Sequence, residues 1–122
     1  MAEPKKILVI DDEADVRSVV QRILRDVGHE VMCADCGETA LRMMEKDKVD
    51  LIILDLRMPG IGGMETLASI RRNNTSVPVI LLSGYITVAA LTDAARLGLN
   101  DFLTKPFRMD ELLTKVNRLL KQ

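Results

Sequence analysis

The chain has 122 residues, of which 48% are hydrophobic, and its formal net charge is −1. This length suits one domain with a buried core, and the balance of apolar and charged residues excludes a disordered chain. A mildly acidic chain has no electrostatic footprint for nucleic acid, and no apolar run approaches the length of a membrane span. Residues 1–6 lack the apolar stretch of a secretory signal, so we expect a cytoplasmic protein.

Strands and helices are predicted to alternate along the chain. Residues 7–10 form a short apolar run that stops at acidic residues, as a strand buried on both faces does. In residues 14–27 apolar side chains recur at helical spacing, and Gly28 ends that helix. The other predicted strands are residues 30–34, 51–54, 79–82 and 102–104, and the other predicted helices are residues 39–46, 64–72, 87–97 and 109–120.

This strand–helix unit occurs five times and predicts an α/β fold. Strands that alternate with helices form a parallel sheet covered on both faces, and right-handed crossovers leave few topologies. The expected architecture is a flavodoxin-like, doubly wound five-stranded parallel sheet in the order 2-1-3-4-5, with five helices. We expect a single domain over residues 1–122, with its core at about residues 6–120.

Polar residues interrupt the apolar pattern directly after the strands. They are Asp11 and Asp12 after the first strand, Asp55 after the third, Ser83 after the fourth and Lys105 after the fifth. The carboxyl ends of parallel strands meet at one edge of the sheet, where open α/β folds bind their ligands. The sequence therefore predicts that these side chains converge on one pocket.

The residue types in this pocket predict phosphoryl transfer. Its carboxylates repel one another, and an all-oxygen ligand set with room for water and phosphate favours Mg²⁺ as the ion that relieves the repulsion. Lys105 adds a cation and Ser83 a hydroxyl for the oxygens of a phosphoryl group. Asp55 is the central acid and the predicted nucleophile, which becomes an aspartyl phosphate.

The motifs together resemble the receiver domain of a two-component response regulator. In chain order they are Asp11-Asp12, Asp55 with Met58-Pro59-Gly60, Ser83-Gly84, and Phe102-Leu103-Thr104-Lys105-Pro106-Phe107. The resemblance extends from about Lys6 to Leu120. It implies a phosphoacceptor switch that assists its own phosphorylation and dephosphorylation, and not a turnover enzyme.

The resemblance also implies a set of ligands for the metal. Asp12 is expected to bind Mg²⁺ directly, Asp11 through water, and Arg57 through its backbone carbonyl. Asp55 is expected to be both a metal ligand and the site of phosphorylation.

Further roles follow from the same resemblance. Lys105 is expected to pair with the phosphoryl group, and the Lys105-Pro106 peptide bond to be cis. Ser83 is expected to move toward the phosphoryl group, and Phe102 to change rotamer with it. These movements would remodel the surface of helix four, strand five and helix five.

The implied partners are a donor and a reader. The donor is a sensor histidine kinase, a phosphotransfer protein or a small phosphodonor. The reader is a downstream partner or a fused output domain, and homodimerisation on phosphorylation is a further expectation. Direct contact of this domain with nucleic acid or membrane is not expected.

Some residues keep two interpretations. Arg57 and Tyr85 lie near the path of an attacking water, and our hypothesis is that they set the lifetime of the aspartyl phosphate; the alternative for Tyr85 is that it only covers apolar surface. Glu13 either binds metal through water or begins a solvated helix. Cys33 and Cys36 form either a redox pair or half a zinc site, or are two reduced residues at a strand–helix junction.

Three other functions stay open on this fold. An aspartate-nucleophile phosphatase usually has a second acid two residues after the first, where this chain has Arg57. A flavin or nucleotide module needs a glycine- or hydroxyl-rich loop after the first strand, where this chain has Asp11-Asp12-Glu13. An unphosphorylated interaction module would not need the complete set of acids, hydroxyl and lysine.

Overall fold

A five-stranded parallel sheet lies between two layers of helices, and the structure, a computed structural model, describes residues 4–121. The strands are β1 (Lys6–Ile10), β2 (Glu30–Ala34), β3 (Leu51–Leu54), β4 (Val79–Ser83) and β5 (Asp101–Thr104). The helices are α1 (Ala14–Asp26), α2 (Gly37–Lys46), α3 (Gly62–Asn73), α4 (Val88–Arg96) and α5 (Met109–Leu120). The strand order β2-β1-β3-β4-β5 confirms the predicted topology.

The two faces of the sheet build two separate cores. Successive side chains of a strand point to opposite faces, so the continuous apolar runs of β1 and β3 contribute to both. Leu8 of β1 and Ile52 of β3 belong to the core that α2, α3 and α4 cover, whereas Ile7 and Ile53 belong to the core that α1 and α5 cover. Burial of each such side chain contributes about 1.5–3 kcal/mol, so the central strands are firmly held.

The helix and strand bounds depart from the sequence predictions by at most two residues. The largest departures are the starts of α2 and α3, which lie at Gly37 and Gly62. A side chain at Gly37 would overlap the Thr66 hydroxyl, and one at Gly63 would overlap the backbone of Asp55. These glycines therefore let the first turns of α2 and α3 pack closely, which local helix propensity does not indicate.

The apolar stripe of α1 is only partly buried. Val20 and Leu24 are fully buried, but Val19 and Val27 are each half-exposed. Val27 lies beyond the last residue of α1, as its C-cap. Within residues 4–121, no helix is both long and apolar enough to span a membrane.

Both cysteines are free thiols. Cys33 lies in β2 and packs on the core covered by α1 and α5, where burial raises the pKa of its thiol. Cys36 precedes α2, on the other side of the sheet, and its Sγ lies 3.2 Å from the Thr39 hydroxyl. This arrangement agrees with two reduced residues at a strand–helix junction.

Candidate functional site

The hydrogen bonds of the sheet continue into the predicted site and fix its backbone. Three residues that follow strands donate their backbone N–H to a carbonyl of the neighbouring strand: Asp11 to Ala34 at 3.1 Å, Asp55 to Ile10 at 2.8 Å and Lys105 to Ser83 at 2.8 Å. The backbone of each residue is therefore as well defined as the sheet itself. The predicted convergence at the carboxyl edge follows from this register.

A hollow of about 370 Å³ opens at this edge of the sheet. Its lining residues are Asp12, Glu13, Asp55, Arg57, Ser83, Gly84, Tyr85 and Lys105. Asp55 is only 3% exposed, and Asp11 beside it only 1%. Asp12 and Glu13 are exposed, so the site has a buried acidic floor and an acidic rim open to water.

The carboxylates form a single cluster. Asp11, Asp12, Glu13 and Asp55 each contribute a carboxylate oxygen, and these oxygens all lie within 4.8 Å of one another. Two of the floor oxygens are held by nearby backbone: Asp11 Oδ1 accepts from the Glu13 N–H at 2.9 Å, and Asp55 Oδ1 accepts from the Arg57 N–H at 3.3 Å. The other oxygens face the hollow or Lys105.

Lys105 is the cation of the cluster. Its Nζ lies 2.7 Å from Glu13 Oε1, 2.9 Å from Asp11 Oδ2 and 3.5 Å from Asp55 Oδ2. Burial opposes its charged form, but the close contacts with Glu13 and Asp11 and the surrounding negative charges outweigh burial and raise the pKa of Lys105. The ammonium is therefore charged throughout the physiological range, yet it balances only one of the clustered acids.

The carboxyl group of Asp55 has a pKa well above its ordinary value. Burial, followed by the negative charge of Asp11, raises the pKa of Asp55 to about 6. The charge of Lys105 and the Arg57 N–H act in the opposite direction without overcoming burial. The negative charge of an ionised Asp55 carboxylate is therefore unfavourable in this site, and a bound cation would stabilise it.

The cluster fits a hard divalent cation. Within the described part of the chain, Asp11 Oδ2 is a buried oxygen without a hydrogen-bond partner, because its 2.9 Å approach to Lys105 lies outside hydrogen-bond geometry. Its free lone pair stands among other carboxylate oxygens, and such all-oxygen sets favour Mg²⁺. The donor set of the predicted site therefore suits the ion that the sequence indicates.

The two predicted switch residues lie at different depths. Ser83 is fully buried at the end of β4, and its hydroxyl donates only a long 3.5 Å hydrogen bond to the Tyr85 carbonyl. Phe102 does not line the hollow: its side chain is 39% exposed, and Lys115 Nζ lies 5.6 Å from the centre of its ring. The structure therefore brings Ser83, but not Phe102, to the acids.

Some contacts of the site were not predicted from the sequence. The guanidinium of Arg57 lies over the ring of Tyr85, 5.4 Å from its centre, so these two residues of separate loops form one side of the hollow. Glu13 pairs with Lys105 across 92 positions of the chain. No local pattern marks either contact, because both depend on how neighbouring strands align. The Lys105-Pro106 peptide bond is cis, as predicted.

Comparison with characterised protein families identifies the domain. Residues 7–117 match the family model described as the response regulator receiver domain. The regulatory protein AtoC of Escherichia coli is 36% identical over 121 residues, which is 99% of this chain and 26% of that protein. The transcriptional regulatory protein PrrA of Mycobacterium tuberculosis is 36% identical over 117 residues, 96% of this chain and 50% of that protein. The chain thus spans between a quarter and a half of these relatives.

Solved structures agree with this assignment. The chemotaxis protein CheY4 of Vibrio cholerae superposes with a TM-score of 0.91 at 30% identity, covering 98% of this chain and 100% of that one. The receiver domain of NtrX from Brucella abortus superposes with a TM-score of 0.89 at 35% identity, covering 95% of this chain and 98% of that one. Fold, motif order and sequence similarity coincide: this chain belongs to the receiver domains of two-component response regulators.

Proposed function

We propose that Asp55 accepts a phosphoryl group from a phosphohistidine, or from a small phosphodonor, in a reaction that depends on Mg²⁺. The supporting observation is the buried Asp55 carboxylate, which faces a hollow that it shares with Asp12, Ser83 and Lys105. No other arrangement of side chains in residues 4–121 combines a buried carboxylate, a lysine and clustered acids in this way.

Each residue has a defined part in the proposed transfer. Asp55 forms the new oxygen–phosphorus bond while the bond from phosphorus to the donor nitrogen breaks, and the electron pair of that bond leaves with the imidazole. Lys105 pairs with a phosphoryl oxygen, and Ser83 donates its hydroxyl to another. Asp11, Asp12, Asp55 and the Arg57 carbonyl would hold Mg²⁺, which neutralises negative charge on the phosphoryl oxygens when bound.

The proposed output is a change in the surface of α4, β5 and α5. Ser83 lies directly before the loop to α4, and Phe102 on β5 pairs in register with Leu81, two positions before Ser83 on β4. In α4 only Ala94 is fully buried, and Val88 in its first turn is 82% exposed. Because so few buried side chains hold α4, a shift of this helix requires little free energy. Such a helix can contribute to a surface that has two populated conformations.

The proposed partners follow from the family. In the cytoplasm, where we propose that this protein acts, a sensor histidine kinase or a phosphotransfer protein supplies the phosphoryl group, and a downstream partner or a fused output domain reads the altered surface. Several similar proteins are named as transcriptional regulators, and they extend well beyond the matched region. A second copy of the chain, bound after phosphorylation, is a further proposed partner, and residues 1–122 act as one receiver domain.

The alternative function, an aspartate-nucleophile phosphatase, would need a general acid that this site does not have two residues after Asp55. Arg57 lies two residues after Asp55, where such an enzyme would place a proton donor, and its guanidinium faces the Tyr85 ring. A guanidinium does not release a proton at neutral pH. The site therefore supports acceptance of a phosphoryl group more strongly than repeated turnover.

Labelling with acetyl phosphate and Mg²⁺ tests the proposal. We expect intact-mass spectrometry to show one added phosphoryl group on the natural chain, and none on Asp55→Asn or in the presence of a chelator. Asp93→Asn, an exposed carboxylate on α4, is the matched control and should label normally. Stoichiometric label on Asp55→Asn would refute the assignment.

A further inference from the structure

Glu13 occupies the N-cap position of α1 but does not cap the helix. Its side chain makes no hydrogen bond to the first turn of α1. Glutamate is not among the preferred N-cap residues, which are shorter and turn their oxygen back onto the helix. The carboxylate of Glu13 instead extends across the hollow to Lys105. The side chain of Glu13 therefore contacts Lys105 and not the first turn of α1.

Glu13 is the nearest anion to the lysine ammonium. Lys105 Nζ lies 2.7 Å from Glu13 Oε1 and 3.5 Å from Asp55 Oδ2, which is too far for a good hydrogen bond. The remaining close oxygen, on Asp11, belongs to the predicted set of metal ligands. When a cation occupies Asp11, Glu13 is the carboxylate that still competes for Lys105.

We propose that Glu13 is a positioning residue that holds the Lys105 ammonium nearer to itself than to Asp55, and so restrains phosphorylation. This inference rests on the proposed function. In the resting site the ammonium is shared between Glu13 and Asp11. For Lys105 to pair closely with a phosphoryl group on Asp55, its ammonium must move away from Glu13, because Nζ lies 2.7 Å from Glu13 Oε1 but 3.5 Å from Asp55 Oδ2. Glu13 thereby sets how easily the site passes from its resting to its phosphorylated arrangement.

The exposure of Glu13 sets the size of the effect. Its side chain is 59% exposed, so water competes for both partners of the ion pair. Exposed ion pairs are weak, and their usual range corresponds to about a two- to fivefold change in an equilibrium or rate. Release of Lys105 should therefore accelerate labelling by about two- to fivefold.

Two variants distinguish the effect of the Glu13–Lys105 contact from the effect of the negative charge of Glu13. Glu13→Gln removes both the charge and the ion pair. Glu13→Asp keeps the charge but shortens the side chain, and aspartate at an N-cap turns toward the first turn of the helix. If the contact with Lys105 restrains the reaction, both variants label faster; a purely long-range effect of charge would accelerate only Glu13→Gln. Asp15→Asn is the matched control, because Asp15 is exposed on the first turn of α1 and forms no ion pair among the described residues.

The experiment has two readouts. The first is the ¹⁵N signal of the Lys105 ammonium in chelator-treated protein, which should shift in Glu13→Gln and Glu13→Asp and stay in place in Asp15→Asn. The second is the rate of labelling by acetyl phosphate at saturating Mg²⁺, which should rise about two- to fivefold in both Glu13 variants. An unmoved Lys105 signal, or labelling that is unchanged or slower, would overturn the inference.

The outcomes also separate this inference from the function on which it rests. If the natural chain acquires a phosphoryl group on Asp55 and the Glu13 variants behave like it, only the role of Glu13 fails. If the natural chain acquires no label at all, the proposed function fails. A slower rate at subsaturating Mg²⁺ that recovers at saturation would assign Glu13 to the metal and reject its role as a restraint on Lys105.

Discussion

At the scale of single residues, the fold places the Asp55 carboxylate where its charge is unfavourable. Burial and the neighbouring Asp11 raise its pKa to about 6, and the Lys105 ammonium, 3.5 Å away, lies nearer to Glu13 and Asp11 than to Asp55. Groups whose pKa is shifted by both burial and a specific neighbour are frequent at functional sites. The unfavourable charge of this carboxylate should lower the free energy of unfolding, which can be measured.

Replacement of Asp55 by Asn should stabilise the metal-free domain at neutral pH. The folded-state pKa of about 6 exceeds the ordinary value of 3.8, so between these pH values the folded state binds more protons than the unfolded state. The stability of the natural chain therefore falls as pH rises through that window. Asn cannot ionise, so Asp55→Asn should gain about 1–2 kcal/mol at pH 7, after allowance for solvent screening.

Urea unfolding in the presence of a chelator measures this difference. The gain should shrink as pH is lowered from about 6 through the ordinary carboxyl pKa of 3.8, because Asp55 of the natural chain is protonated in both states only below that value. Asp93→Asn should show no gain at any pH. A destabilised Asp55→Asn at pH 7 would contradict the electrostatic account of the site.

Arg57 and Tyr85 line the hollow together, and our hypothesis is that an attacking water would have to pass them. Their stacked arrangement, with 5.4 Å between guanidinium and ring centre, gives each residue a defined position. Loss of either partner should open this side and shorten the life of the aspartyl phosphate. An exposed cation–π contact contributes about 0.5–1 kcal/mol, which corresponds to about a two- to fivefold faster loss.

Arg57→Ala and Tyr85→Ala, labelled and then freed of donor, test this hypothesis by the rate at which the phosphoryl group disappears. Val88→Ala is the control, since Val88 is exposed but does not line the hollow. Equal lifetimes in the natural chain and both variants would rule out a role for this pair.

At the scale of elements, the sequence predicted what depends on local pattern. β3 was predicted with its observed bounds because Leu51–Leu54 is a continuous apolar run that ends at an acid. From the ends of the strands, the sequence predicted that Asp11, Asp55 and Lys105 lie at one edge of the sheet. In the structure these three residues lie together at that edge. What the sequence could not indicate depends on contacts between distant segments: the Glu13–Lys105 pair, the Arg57–Tyr85 stack, and the outward side chain of Phe102.

Arg71, near the end of α3, also makes contacts with distant segments that the sequence could not indicate. Its guanidinium donates to carbonyl oxygens of the loops before β4 and after α4: Asn74 at 3.2 Å, Val77 at 2.7 Å, Leu97 at 3.1 Å and Gly98 at 2.8 Å. It also reaches the side chain of Asn100 at 3.2 Å, which itself accepts from the Val79 N–H. One side chain thus ties the C-terminal end of α4 to the body of the sheet.

Removal of this guanidinium should destabilise the domain. Arg71→Met keeps most of the side-chain volume but leaves several carbonyl groups without their donor, and hydrogen bonds to a charged group contribute about 1.5–3 kcal/mol. We expect the free energy of unfolding to fall by about 2 kcal/mol in urea titrations. Arg72→Met is the matched control, because Arg72 is exposed and donates only to Ser69 of its own helix. Equal stability of the two variants would contradict this assignment.

At the scale of the whole molecule, a deeply buried region and a more exposed one meet at Ser83. On one side lie the central strands, which are fully buried and carry the acids. On the other side lie α4, with one fully buried residue, and Phe102 on the exposed face of β5. Arg71 donates to the Leu97 and Gly98 carbonyls at the C-terminal end of α4, whereas Val88 at the N-terminal end, nearest Ser83, is 82% exposed. If Asp55 is phosphorylated as proposed, we expect the change to reach the surface through this exposed region with little disturbance of the core.

The hydroxyl of Ser83 should be required for this transmission but not for folding. Ser83→Ala loses only the long hydrogen bond to the Tyr85 carbonyl, so the variant should fold normally. With Mg²⁺ and beryllofluoride, a phosphoryl mimic, the natural chain should show backbone NMR shifts both near Asp55 and at Val88 and Phe102. In Ser83→Ala the shifts near Asp55 should persist and those at Val88 and Phe102 should shrink by at least half. Ser69→Ala, on α3 and outside the hollow, should respond like the natural chain. Undiminished shifts at Phe102 in Ser83→Ala would show that the signal reaches β5 by another route, since the hydroxyl is then dispensable for the coupling between site and surface.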